Sequence, residues 1–204
     1  GKSPDGCIII YEHPKFDSMG KVPHKMYIAG CDPIDHDRDE VKDKYSLASA
    51  FVMSSLTKRI VAEYTGRPKT ADEYYENLRR LLIYYNAKCL YEANIKGLKT
   101  YFENKNSLYL LAEEPKVLRD DANYRGAKLS YGFKANPQNN AYNRGLIHKW
   151  SIEEYSRDID DNQQTLIRYY VHTIRSKPLL QEMIQFHSEG NFDRISALGA
   201  TLLH

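Results

Sequence analysis

KMYIAGCDPIDHD, residues 25–37, begins as a β-prone run, passes through Gly30 and Cys31, and ends on a carboxylate, Asp32. Pro33 then turns the chain into a dense acidic loop. A charge at the end of a buried strand is expensive to desolvate unless something pairs with it. Asp32 is therefore either a turn former or a metal ligand at a sheet edge, and the company it keeps decides between the two.

The flanking sequence supplies the sheet. YSLASAFVMSS (45–55) and RIVAEYTG (59–66) are β-rich runs joined by a link of hairpin length, so with the opening strand they predict an antiparallel meander. GCIIIYEHP (6–14) reads as a short preceding strand stopped by Pro14. The periodicity then changes. In residues 70–86, Thr70 and Glu73 form a capping box, and Tyr74, Leu78, Leu81, Leu82 and Tyr85 fall at helical spacing. AKCLYEA (87–93) is the next strand, and a strand–helix–strand unit of this length is a crossover that makes it parallel to one of the earlier three. NIKGLKTYFENKN (94–106) predicts a helix and SLYLLA (107–112) a further strand. Residues 141–155, 161–174, 177–190 and 193–204 read as four more helices. The prediction is an α/β fold with a mixed central sheet flanked by helices on both faces. Counted from KMYIAGCD, its strand order is 3-2-1-4-5, with strand 2 antiparallel.

The fourth strand repeats the pattern of the first, because CLYEANIKG (89–97) also ends on an acid, Glu92. Parallel neighbours lie about 4.8 Å apart, and their carboxyl edge is where α/β sheets place ligands. Asp193 begins the last helix, whose small apolar face (Ile195, Ala197, Leu198, Ala200) suits close packing on a sheet. Taken singly, Asp32 reads as a turn former, Glu92 as a helix-dipole partner and Asp193 as an N-cap. Together they repel: at ~4 Å and an effective dielectric of ~20, each like-charged pair costs about 4 kcal/mol. Such a cluster implies divalent cations, and oxygen-only ligands favour magnesium or manganese over zinc.

Composition narrows the class. A chain of 204 residues is long enough for one domain with a full core. No run of about 18 apolar residues exists to span a membrane, and the N-terminus has no secretory h-region. Cys7, Cys31 and Cys89 show no CxxC spacing, which argues against a zinc site or disulfide framework and for a reducing cytosol. GKS at residues 1–3 fails as a phosphate loop, since no upstream glycine stands at the required spacing. The net charge of +2 announces no polyanion partner, but residues 124–136 concentrate Arg125, Lys128 and Lys134 among Tyr124, Tyr131 and Phe133.

Five segments in this order and spacing, YIAGCDP, LYEANIKG, YGFKAN, RSKPLLQEMIQF and FDRISALG, resemble the C-terminal nuclease domain of tailed-bacteriophage large terminase subunits. Those proteins are DNA-packaging motors of the ribonuclease H-like superfamily, and the resemblance runs from about residue 7 to residue 202. It implies that Asp32, Glu92 and Asp193 are the metal-binding catalytic acids. Asn94 and Gly97 match the asparagine and glycine that follow the family's glutamate. Phe192 departs from the pattern, because many terminases carry a second aspartate there; Asp35, Asp37 or Asp39 could supply a fourth acid. The resemblance further implies hydrolysis of double-stranded DNA concatemers with two magnesium or manganese ions. It implies a single nuclease domain over residues 1–204, without the packaging ATPase, acting in the host cytoplasm. The full-length protein would meet portal and small terminase subunit. Arg125, Lys128 and Lys134 would contact the DNA backbone, and His36 reads as an exposed loop histidine. Two alternatives are another nuclease of the superfamily, such as a junction resolvase or transposase, and a non-catalytic DNA-binding or portal-docking module.

Overall fold

Alternating apolar residues and one crossover helix build a five-stranded sheet in the computed structural model, which describes residues 5–37, 46–118, 130–187 and 190–204. The strands are β1 (Cys7–Ile10), β2 (Tyr27–Asp32), β3 (Ala48–Ser54), β4 (Ile60–Gly66) and β5 (Lys88–Tyr91), in the order β1-β4-β3-β2-β5. The β2-β3-β4 meander is antiparallel, and β5 returns parallel to β2 after α1 (Ala71–Tyr85). The expected core order 3-2-1-4 is therefore present, with the antiparallel strand where it was placed. The outer positions differ in detail. SLYLLA is mostly a 3-10 turn, Leu108–Leu110, and only Leu111 reaches the sheet, as a parallel bridge to Cys89. Asn106, just before this turn, lies in the left-handed region at φ 51. At the opposite edge β1 pairs antiparallel with β4 and completes the five.

Side-chain alternation assigns the two faces. Ala29 and Cys31 of β2, Ala50 and Val52 of β3, and Cys89 and Tyr91 of β5 share one core with Tyr74, Leu78, Leu82 and Tyr85 of α1 and with Leu98 and Phe102 of α2 (Lys96–Asn104). The capping box at Thr70 and Glu73 starts α1 as its sequence predicts. Phe51 and Met53 point the other way, into a core with α3 (Pro137–Ser151), α4 (Lys177–Gln185) and α5 (Asp193–Leu203). Helix α5 comes closest to the sheet. A Cβ added to Gly30 would stand 2.1 Å from the backbone nitrogen of Thr201, so only glycine admits the helix there.

The C-terminal half is less helical than its apolar spacing predicts. Residues 154–169 form an antiparallel ribbon, β6 (Glu154–Ile159) and β7 (Thr165–Tyr169), in place of parts of two expected helices. The turn chemistry explains this. Asp160 Oδ1 accepts from the backbone nitrogens of Asn162 (2.9 Å) and Gln164 (2.7 Å), and Gln163 adopts φ 60. Asp-Asp-Asn between two runs of alternating apolar residues closes a hairpin. Among the described residues no helix is long and apolar enough to cross a membrane.

The acidic loop after β2 has a structural duty. Asp35 Oδ1 accepts from Gly97 N at 2.9 Å, in the first turn of α2, which has no capping side chain of its own. Asp37 Oδ1 accepts from Ala71 N at 2.8 Å, at the start of α1. Two of the three acids that could supply a fourth ligand thus each accept a helix-start N–H through one oxygen, and Asp39 lies outside the described residues. Replacing either by alanine removes a cap worth about 0.5–2 kcal/mol. The expected result for Asp35→Ala and Asp37→Ala is a lower melting temperature with unchanged affinity for manganese. A variant that kept its stability and lost manganese affinity would return that acid to the ligand set.

Candidate functional site

Alternation decides where the acids point. Cys31 faces α1, so Asp32, the next residue, faces α5, like Gly30 beneath Thr201. On β5 the face of Leu90 packs with Ala200 and Leu203 of α5, so Glu92, two residues on, points to the same side. The β2–β5 register ends at Cys31 beside Tyr91, which carries Asp32 and Glu92 out of the sheet as neighbours. Asp193 is the first residue of α5, the helix that covers this face. All three predicted acids therefore converge on one end of one face of the sheet.

Their electrostatics agree. Burial pushes the Asp32 carboxyl well above the usual carboxylate range, and the negative charges of Asp193 and Glu92 push it further, against a hydrogen bond from the Ser196 side chain. Glu92 is raised by burial, offset by a hydrogen bond from Asn94. Asp193, 8% exposed, is pushed up to about 6, first by burial, against the backbone N–H of Leu47, which donates to its Oδ2 at 2.8 Å. The Asn191 side chain also holds it down, whereas the charge of Glu182 raises it.

Glu182 is the acid that sequence reasoning missed. It raises both Asp32 and Asp193, and it touches the start of α5 from α4. The available signal was an acid three residues after the buried Leu179, on the inward face of an amphipathic helix. A cavity of about 200 Å³ opens beside the acids, lined by Glu92, Asn140, Asn143, Arg144, Asn191 and Ser196 among others. Arg144 makes no ion pair among the described residues, and Asn143 Oδ1 is buried without a hydrogen-bond partner.

Of the three basic candidates, Arg125 and Lys128 lie outside the described residues. Lys134 is exposed and follows Phe133, the residue bridged to Glu92, but it does not line the cavity. Phe133 bridges Glu92, its nitrogen donating to Tyr91 O at 3.0 Å while Ala93 N donates to Phe133 O at 2.7 Å. Asn94 Nδ2 then donates to Ala135 O at 3.3 Å, fixing the 133–135 segment against the end of β5. His36 is exposed.

The donor set suits a hard divalent cation: three carboxylates on one side of the sheet, with mainly negative charges acting on Asp32. Among the described residues no three His, Cys, Asp or Glu side chains stand close enough to make a ready-formed metal cage.

A pH dependence follows. Asp193 titrates at about 6 in the fold and near 3.8 when unfolded. Its native state favours the protonated form, so its contribution is complete below pH ~4 and lost as pH rises through about 6. The loss is on the order of 3 kcal/mol. In EDTA, Asp193→Asn lacks that loss. Its melting temperature minus that of the parent should be near zero at pH 4 and several degrees positive at pH 7; a flat difference across this range would contradict the assignment.

No family model matches the sequence, and no curated protein sequence matches it. Solved structures do. The large terminase nuclease from thermophilic phage G20c with bound zinc superposes with a TM-score of 0.55 at 11% identity, covering 95% of this chain and 85% of that one. The same nuclease with bound cobalt and with bound magnesium each gives a TM-score of 0.50 at 10% identity, covering 96% of this chain and 86% of that one. At such identities the likeness concerns the fold: this chain has the ribonuclease H-like mixed sheet and flanking helices of a phage large terminase nuclease.

Proposed function

We propose that the chain is a divalent-metal-dependent endonuclease that cuts double-stranded DNA concatemers during viral genome packaging, with residues 1–204 serving as one nuclease domain. The observation that carries the proposal is the convergence of Asp32, Glu92 and Asp193 on the α5 face of a terminase-nuclease sheet. The phage nuclease of the same fold was solved with magnesium, cobalt and zinc, which supports divalent-cation use here. Packaging would place the work in the host cytoplasm, with portal and small terminase subunit as neighbours of the full-length protein.

In this reading Asp32, Glu92 and Asp193 hold two magnesium or manganese ions. When bound, the ions supply an activated water and offset charge on the leaving 3′ oxygen. The chain does the rest. Leu47 N and the Asn191 side chain hold the Asp193 carboxylate in place. Arg144, which lines the cavity with Glu92, takes a phosphate oxygen, and the amides of Asn140 and Asn191 line the same cavity. Lys134 follows the backbone of the duplex. Contacts of this kind read phosphate rather than base, so little sequence preference is expected.

The test is plasmid cleavage in magnesium or manganese. Asp32→Asn, Glu92→Gln and Asp193→Asn should each reduce it by about 100-fold or more, while the metal-free proteins melt no lower than the parent. In the same preparation Lys134→Ala with Arg144→Ala should reduce the slope of log affinity against log salt by about 2. A folded Asp32→Asn that cuts normally ends the proposal, and an unchanged salt slope removes the two cations from the DNA path.

A further inference from the structure

Helix α5 begins with Asp193, yet it has no capping side chain of its own, because Phe192 occupies the cap position. An acid in the first turn would ordinarily fold back onto the free backbone N–H groups. Here another residue takes that place. Glu182, reaching over from α4, accepts from Arg194 N at 3.0 Å and from Ile195 N at 3.3 Å through Oε2, and from Arg194 Nη1 at 2.9 Å through Oε1. The same guanidinium donates through Nε to Glu63 Oε1 at 2.9 Å. Glu63 is 3% exposed, and it also receives the hydroxyls of Tyr11 at 3.0 Å and Thr65 at 3.1 Å. It stands on the α5 face of β4 beside Phe51, so the same alternation that aims Asp32 also aims Glu63.

Strand β4, helix α4 and the first turn of α5 are thus tied through one arginine, the residue next to Asp193. The tie matters because Asp193 and Asp32 repel each other, and it adds to the hydrogen bonds of Leu47 N to Asp193 and of Ser196 to Asp32 in holding the start of α5 close. Resting on the nuclease reading above, we infer that Glu63, Arg194 and Glu182 form a positioning clamp that holds Asp193 against Asp32 and, by capping α5 in its stead, keeps its carboxylate off the helix's own N–H groups and turned to the cations. Glu182 and Arg194 are positioning residues; neither contacts the reacting atoms.

Clamp and plain structural network part company in metal affinity. Arg194→Lys keeps the charge but loses the fork that spans two carboxylates. Glu182→Gln keeps a backbone acceptor but loses the ion pair. Arg194→Met with Glu182→Met and Glu63→Met removes all three charges together, a replacement that often leaves buried networks neutral or more stable. Manganese binding to the full chain without DNA is measured by electron paramagnetic resonance, with melting temperature in EDTA alongside. All three proteins should bind manganese about 10- to 100-fold more weakly than the parent, the range found when groups that orient metal ligands are lost. The triple variant should do so while melting near the parent. Affinity within twofold of the parent in folded variants overturns the clamp. So does loss of binding in Glu182→Gln with parental binding in Arg194→Lys, which would make Glu182 a ligand. A parent that itself binds no manganese overturns the nuclease reading, and the clamp with it.

Discussion

The close seating of α5 on the bare backbone of β2 is the constraint from which the site follows. At Gly30 the helix backbone comes so near that a single methyl group would collide with Thr201. That contact, with the small residues Ala197 and Ala200 around it, sets the height of the helix over the sheet. The height places Asp193 level with the strand ends. A larger residue at position 30 would lift the helix and separate Asp193 from Asp32 without touching either. Core packing and site geometry are thus one problem in this fold, and stability measured alone would not distinguish them.

The second constraint opposes the first. Packing brings the carboxylates together, and burial raises all three. The fold resolves this with backbone donors and distant partners rather than with a cation of its own at Asp32. Leu47 N restrains Asp193, Ser196 restrains Asp32, and Asn94 restrains Glu92. Among the described residues, two basic groups near the site are directed elsewhere: Arg194 into Glu63 and Glu182, and Arg144 into the cavity it lines. A site left negative in this way is complementary to divalent cations, and through them to phosphate.

Much of this was legible in the sequence because the deciding signals are local. The strand in YIAGCDP, the helix after Thr70 and the strand in CLYEA each have an unambiguous period, and the crossover rule then makes β5 parallel to the meander. Two acids at strand ends and one at a helix start became neighbours by topology alone. The rest depended on information that spacing does not hold. Tyr155, Ile159, Leu166 and Tyr169 fit a helix or a ribbon, and the Asp160 turn decided it. That Asp35 and Asp37 accept from the first turns of α2 and α1 could not be read from spacing, because those helices lie far along the chain. Glu182 and Arg144 reach the site from helices distant in sequence, so only packing could bring them to it.

The central claim is that Asp32, Glu92 and Asp193 bind cations jointly. Its most direct test is a crystal of this chain soaked in manganese, with anomalous difference density recorded at the manganese edge. The account predicts a peak on the α5 face at the carboxyl ends of β2 and β5, bonded to oxygens of all three acids. Manganese bound only elsewhere at saturating concentration, with Asp32, Glu92 and Asp193 holding to protein groups alone, would contradict it.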